Sequence, residues 1–290
     1  MIAGLVKLCR PAHWPKNVFV LAPLVFAQLL HVPEALIRTA IAVVCFCAAS
    51  SVVYIFNDYR DREIDRRHPL KKLRPLASGA VSPSAALGLV FVLLLGVGAA
   101  SAWLGAGFAI VVSIYLAINA LYSLGLKRVV ILDVMIVSLG FVLRVLGGGR
   151  AIDVEISAWL LLCTIFLALF LAFSKRRHEL ILLADEAKDQ RRVLSHYSSA
   201  FLDQMINVVT ASTVVSYALY SVAPETIERF QTSFLVYTIP FVLFGIFRYL
   251  YLMYQVPDRI NPTEAVIRDG PSVLNILLWG GSVLGIVYFF

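Results

Sequence analysis

Ala40-Ile-Ala-Val-Val-Cys-Phe-Cys-Ala-Ala-Ser-Ser-Val-Val-Tyr-Ile-Phe56 runs straight into Asn57-Asp58-Tyr59-Arg60-Asp61-Arg62-Glu63-Ile64-Asp65. The first half is a continuous apolar run of the kind that crosses a bilayer as a helix. The second half, continued as a helix, puts Asp58, Asp61 and Asp65 at i, i+3 and i+7 on one face, with Asn57 one position to the side. Clustered carboxylates repel one another unless something neutralises them, and a hard divalent cation carrying a phosphorylated ligand does so well. These four side chains are therefore candidate metal ligands. Because the apolar run stops where they begin, the expected chemistry is that of a Mg²⁺-bound diphosphate and a lipid at the membrane–water boundary.

The same apolar character extends over all 290 residues, 60% of which are hydrophobic, with a mean hydropathy of +0.84. That composition excludes an ordinary soluble domain and defines an all-α, polytopic membrane protein. The runs are continuous rather than alternating, which excludes a β-barrel. About nine segments are long enough to cross at roughly 20 residues each: 18–31, 36–56, 83–103, 105–123, 129–148, 157–174, 205–222, 232–253 and 272–290. Pro23 lies in the first. The two long polar stretches, 57–82 and 174–204, lie four spans apart, which suggests a four-helix unit used twice within a single domain, 1–290.

Most of the 25 Lys and Arg residues cluster before the first span, in those two polar stretches and at Lys127-Arg128. By the positive-inside rule these regions are cytoplasmic, so the N-terminus is expected inside and, with nine spans, the C-terminus outside. The net charge of +7 belongs to that face, where it suits anionic lipids or phosphorylated substrates rather than nucleic acid. A transporter would place its charges at mid-membrane; here they gather at one set of helix ends, as for an enzyme. The four cysteines have no metal spacing and read as packing residues, and no cleavable signal peptide is expected.

The aspartates are followed by Asp65-Arg66-Arg67-His68-Pro69-Leu70-Lys71-Lys72-Leu73-Arg74-Pro75-Leu76-Ala77-Ser78-Gly79. Arg66, His68, Lys71 and Arg74 are candidates to neutralise the phosphate charge that a metal leaves over. Arg144, inside the fifth span, is costly there unless it meets a substrate phosphate or a partner. Gly147-Gly148-Gly149 reads as a helix-ending turn, and Arg248, flanked by Tyr249, Tyr251 and Tyr254, as part of an interfacial aromatic belt.

Asn57-Asp58-x-x-Asp61-x-x-x-Asp65 followed by Arg74-Pro75-Leu76-Ala77-Ser78-Gly79 resembles the first signature of the UbiA superfamily of intramembrane prenyltransferases, over essentially the whole chain. The resemblance implies a helical bundle in which Mg²⁺ and Asn57, Asp58, Asp61 and Asp65 hold a diphosphate. It also implies roles for Tyr122 and Lys127 in Tyr122-Ser-Leu-Gly-Leu-Lys127. Prenyl-diphosphate-using members carry a second aspartate motif after the sixth span. This chain has Phe173-Ser174-Lys175-Arg176-Arg177-His178-Glu179-Leu180 there, and Asp185 and Asp189 follow further on, their participation open. A basic triplet at that place points to a more anionic donor, with Lys175, Arg176 and Glu179 as candidate substrate contacts. Together with Arg10-Pro-x-His-Trp-Pro-Lys16-Asn17 and Asn261-Pro-Thr-Glu264, it resembles the branch that uses 5-phosphoribosyl 1-diphosphate. Lys16 joins the candidate substrate contacts on that resemblance.

The resemblance implies transfer of phosphoribose to a polyprenyl (decaprenyl) phosphate in the cell (inner) membrane, with a cytoplasm-facing site, to supply a cell-wall arabinan precursor. A homo-oligomer is left open. Two rivals are an aromatic prenyltransferase with an isoprenoid diphosphate donor and a non-enzymatic lipid-phosphate transporter.

Overall fold

The computed structural model describes residues 2–67, 71–185, 196–255 and 262–289. All regular structure in them is helical: α1 Ile2–Cys9, α2 Ala22–Phe26, α3 Pro33–Arg67, α4 Pro83–Leu104, α5 Ala106–Leu124, α6 Leu132–Ala151, α7 Ala158–Asp185, α8 Ser199–Val222, α9 Pro224–Phe230, α10 Ile239–Gln255, α11 Pro262–Arg268 and α12 Gly270–Phe289. Eight helical stretches among the described residues are long and apolar enough to cross a membrane, and the chain is a multi-pass membrane protein.

The expected first span, 18–31, takes another form. Pro11–Leu21 is a 3₁₀ helix that passes into the five-residue α2. Pro15 and Pro23 lack the amide hydrogens that a long α-helix needs, and Gln28 closes the segment at φ 57°. Helix runs into both polar stretches, in the first as the aspartate spacing predicts. Residues 57–67 continue α3 and residues 174–185 continue α7.

The chain divides into two compact units, Met1–Ile156 and Ser157–Phe290, with four of the candidate spans in each. In the first unit α3 is the central element and packs on α1, α4, α5, α6 and the 3₁₀ helix. Its core joins Ala42, Cys45, Phe46 and Ala49 of α3 to Phe108, Val112 and Tyr115 of α5 and to Leu143 of α6. Ser82 caps α4 by accepting from the Ala85 amide (3.2 Å), with Pro83 at the first helical position. Gly105, at φ 108°, makes the break between α4 and α5. The Arg38 guanidinium donates to the carbonyls of Ala151 (2.6 Å) and Leu104 (3.0 Å), so one cation serves the C-terminal ends of α6 and α4.

Gly147, Gly148 and Gly149 lie inside α6, where a helix-ending turn was expected. A Cβ on Gly148 would come within 2.2 Å of the Val20 carbonyl oxygen, and one on Gly147 within 2.4 Å of the Phe46 ring. Gly148 lets α6 approach the 3₁₀ helix at backbone distance and Gly147 makes room for the Phe46 ring of α3, packing requirements that the sequence motif does not distinguish from a turn.

In the second unit α7 and α8 pair most extensively, and α10 packs against α8 and α12. Arg248 is held by an ion pair where an aromatic belt was expected: its Nη2 and Nε donate to the two carboxylate oxygens of Asp269 at 2.7 and 3.0 Å. It also stacks on Tyr251, 5.0 Å from the ring centre.

Candidate active site

The C-terminal end of α3 carries the acidic face read from the sequence. Asp58 and Asp65 are buried, with side chains 3% and 4% exposed, and Asp61 is partly exposed. Buried carboxylates demand partners, and three cations from distant parts of the first unit supply them. Arg74 Nη1 donates to both Asp58 Oδ1 (3.0 Å) and Asp65 Oδ2 (2.7 Å). Arg10 Nη2 donates to the same Asp58 Oδ1 at 2.6 Å. Lys127 Nζ donates to Asp61 (2.7 Å) and to Asn57 Oδ1 (3.3 Å). Three carboxylates thus meet three cations on one helix face.

Local structure explains how each cation arrives. Arg74 follows the 3₁₀ turn Lys71–Leu73, and the segment beyond it is pinned by Leu76 and Val81, which are buried with Leu8, Ile55 and Ala86. Lys127 lies in the 3₁₀ turn Leu126–Arg128 just after Gly125 ends α5. Arg10 stands at the head of the Pro11–Leu21 helix in the left-handed conformation (φ 50°, ψ 61°). That conformation costs a non-glycine residue about 1–2 kcal/mol, and it directs the chain onto α3.

The Pro11–Leu21 helix is itself stitched down. Trp14 Nε1 donates to Ser51 Oγ (3.3 Å), and the fully buried Asn17 donates to Cys47 Sγ (3.1 Å). Arg144 Nε donates to Asn17 Oδ1 (2.7 Å), while its other nitrogens serve the Gly140 carbonyl (2.7 Å) and the Tyr115 hydroxyl (3.0 Å). No carboxylate lies in ion-pair range of Arg144 among the described residues, and the side chain is 6% exposed overall. The geometry is that of a strut joining α6, α5 and the N-terminal segment.

Of the remaining sequence candidates in this unit, Arg66 turns outward to Glu63 (2.9 Å) and donates from Nε to the Ala77 carbonyl (3.2 Å). Lys16, Lys71 and Tyr122 are half-buried, each with contacts inside the protein. His68 lies outside the described residues.

In the second unit, Arg176 is nearly buried and pairs with Glu179 (2.7 Å), which Lys175 approaches at 3.9 Å. Arg177 Nε donates to Asp203 Oδ1 (2.5 Å), which also accepts from the Tyr254 hydroxyl (2.7 Å). Arg177 stacks 4.0 Å from the Tyr254 ring centre, tying α7 to α8 and α10. Asp185 ends α7, and Asp189 lies outside the described residues.

Among the described residues no three His, Cys, Asp or Glu side chains gather closely enough to hold a metal by themselves. Magnesium does not require three, since it takes one or two carboxylates and completes its shell with water and phosphate oxygens. Asp58 and Asp65 share one guanidinium nitrogen and so face a common point, and their hard oxygens suit Mg²⁺. The donor chemistry therefore fits a divalent ion.

Arg10 is the residue that sequence reasoning missed as a site candidate. It is 48 positions from Asp58, and its motif marked a resemblance without indicating a partner.

Cations that converge on an aspartate-rich helix end in a helical membrane protein suit transfer chemistry on phosphorylated substrates, the class of an intramembrane transferase. The chain belongs to the UbiA prenyltransferase family, whose model matches residues 18–262. Within it, the chain is 34% identical to the decaprenyl-phosphate phosphoribosyltransferase of Mycolicibacterium smegmatis, over 100% of this chain and 94% of that protein. It is 33% identical to the enzyme of that name from Mycobacterium tuberculosis, over 100% of this chain and 96% of the other. Among solved structures, a UbiA homolog from Archaeoglobus fulgidus bound to GPP and Mg²⁺ matches with a TM-score of 0.70 at 19% identity, covering 97% of this chain and 99% of its own, a likeness of fold.

Proposed function

We propose that this protein transfers 5-phosphoribose from 5-phosphoribosyl 1-diphosphate to a polyprenyl (decaprenyl) phosphate and releases diphosphate. Full-length similarity to proteins named for that activity supports the reading. The observation that carries it in this chain is Arg74 bridging Asp58 and Asp65 beside Arg10, a site built to balance carboxylates against cations where phosphates are to be gathered.

In this reading the C1–O bond to the diphosphate breaks, and a new C1–O bond forms to an acceptor phosphate oxygen. The acceptor is already anionic, so no side chain need remove a proton from it. Asn57, Asp58, Asp61 and Asp65 would hold Mg²⁺, which when bound supplies charge neutralisation to the departing diphosphate. Lys127, held by Asp61 and Asn57, and Arg74, held by Asp58 and Asp65, are positioned to receive phosphate oxygens as charge-assisted donors. Lys16, Lys71, Tyr122, Lys175, Arg176 and Glu179 are assigned to substrate binding as part of the same proposal. Arg144 is assigned to holding the N-terminal segment, because its donors are directed to protein acceptors. Fixing both reactants at one surface supplies much of the rate acceleration. We place the site on the cytoplasmic face of the cell (inner) membrane, with residues 1–290 acting as one domain and the product serving cell-wall arabinan synthesis.

The test uses purified protein in detergent with polyprenyl phosphate, Mg²⁺ and radiolabelled 5-phosphoribosyl 1-diphosphate. Label is expected in the organic phase and is expected to be lost with EDTA. Prenylation of an aromatic acid from an isoprenoid diphosphate instead would move the chain to the aromatic prenyltransferases. Lipid-phosphate movement without diphosphate release would make it a transporter.

A further inference from the structure

We infer that Arg10 binds a phosphate group of the donor, forming with Arg74 a pair of guanidinium groups that converge on Asp58. This rests on the proposed reading that the site takes a phosphorylated donor.

Both guanidinium groups reach the same carboxylate oxygen, Asp58 Oδ1, at 2.6 and 3.0 Å, and both side chains keep about a quarter of their surface open, 22% for Arg10 and 27% for Arg74. An arginine has five N–H donors in a planar fork. Among the described residues the Arg10 guanidinium directs one hydrogen bond, from Nη2, to the protein. Arg74 Nη1 meets it at the shared Asp58 oxygen. Two adjacent forks with unspent donors match the oxygens of a phosphate or diphosphate, which accept in a bidentate way. Arg248, by comparison, commits two nitrogens to Asp269, and Arg144 spreads three across Asn17, Gly140 and Tyr115.

The way Arg10 is held also fits a binding role. Its guanidinium lies over the Tyr54 ring, 5.0 Å from the centre, a contact that holds the group without consuming its donors. The backbone is in the left-handed region directly before Pro11, although the residue before a proline favours extended conformations. Such an outlier persists where its surroundings enforce it, and here Trp14 and Asn17 anchor the following helix to α3 and α6. Asp58 keeps Arg74 as a partner when Arg10 turns to a phosphate, so exchange does not strand a buried carboxylate. A single cation on Asp58 would not permit that.

The experiment compares full-length wild type with Arg10→Lys and Arg10→Gln in detergent. Binding of inorganic diphosphate is measured by titration calorimetry in EDTA and again with Mg²⁺, alongside donor KM and kcat. Lysine keeps the positive charge on a long side chain and glutamine removes it, so binding kept in Arg10→Lys and lost in Arg10→Gln reports the charge, and equal loss in both variants would mark a merely structural role. The expected result in EDTA is diphosphate affinity reduced about ten- to a hundredfold in Arg10→Gln and largely kept in Arg10→Lys. Donor KM should rise in parallel while kcat stays within about threefold, the mark of lost binding that is equal in ground and transition states. Wild-type diphosphate affinity in Arg10→Gln, or a fall in kcat at unchanged donor KM, would overturn the inference. If the wild type binds diphosphate but transfers no phosphoribose, the proposed donor falls, and the diphosphate titrations still decide Arg10.

Discussion

Asp58 has the most demanding environment of any residue at the site: a buried carboxylate with one oxygen shared by two guanidinium groups. Asp58→Asn keeps the shape and removes the charge that organises Arg10 and Arg74. We expect transfer to fall by more than about a hundredfold, the scale of losing a preorganised electrostatic contact. The stability cost should stay below the about 3–5 kcal/mol of breaking a fully buried pair, because both arginines reach solvent. Parallel turnover and thermal-melt measurements check both, and near-normal turnover would remove Asp58 from the site. Lys175→Ala and Arg176→Ala are expected to raise donor KM several-fold with kcat little changed, as read from donor saturation curves. The Asp58, Asp61 and Asp65 face was legible in the sequence because helix periodicity alone places it. The cations that answer it come from positions 10, 74 and 127, and spacing carries no information about such pairings.

Elements pack in ways that explain residues the sequence left ambiguous. α6 meets the Pro11–Leu21 helix at backbone distance through Gly148. Gly148→Ala should destabilise the protein by about 1–3 kcal/mol through overpacking. Gly96→Ala in α4, where no atom lies within 4 Å of the added methyl group, should be neutral or slightly stabilising. Detergent melts of the two variants separate these outcomes, and equal melting temperatures would contradict the packing argument. At the start of α12, hydrogen bonds from Arg248 and then from Ser272 hold the Asp269 carboxyl well below the usual carboxylate range. A depressed folded-state pKa contributes stability that is present above the unfolded value of about 3.9 and is lost as pH falls below it. The melting-temperature gap between wild type and Asp269→Asn should therefore be constant at neutral pH and narrow below about pH 4. A gap that persists unchanged at pH 3 would refute the assignment.

For the whole molecule, two expectations concern orientation and chemistry. Charge asymmetry predicts that the acidic face and its basic surroundings lie in the cytoplasm. A cysteine introduced at Ser78, which is exposed beside Arg74, should be labelled by an impermeant maleimide in inverted vesicles and protected in intact cells. The reverse pattern would invert the proposed topology. Departure of diphosphate blocks one face of the ribosyl ring, so the acceptor phosphate should attack the other, with inversion at C1. Coupling constants of the anomeric proton in the lipid product check this, and retention would require a covalent or double-displacement route.

Composition and periodicity by themselves determined that the chain is a helical membrane protein and that a carboxylate face ends one of its helices. Bilayer thickness and the helix repeat act on contiguous residues, so a linear string is enough to read them. The tertiary structure decided the rest. It laid the Pro11–Phe26 segment down as a strap, because Trp14 and Asn17 find their hydrogen-bond partners on α3 and α6. It kept the α6 glycines inside a helix, because Val20 and Phe46 come too close for side chains there. It brought Arg10, Arg74 and Lys127 to the aspartates, because buried charge is satisfied by whatever the fold places within reach, however far away along the chain.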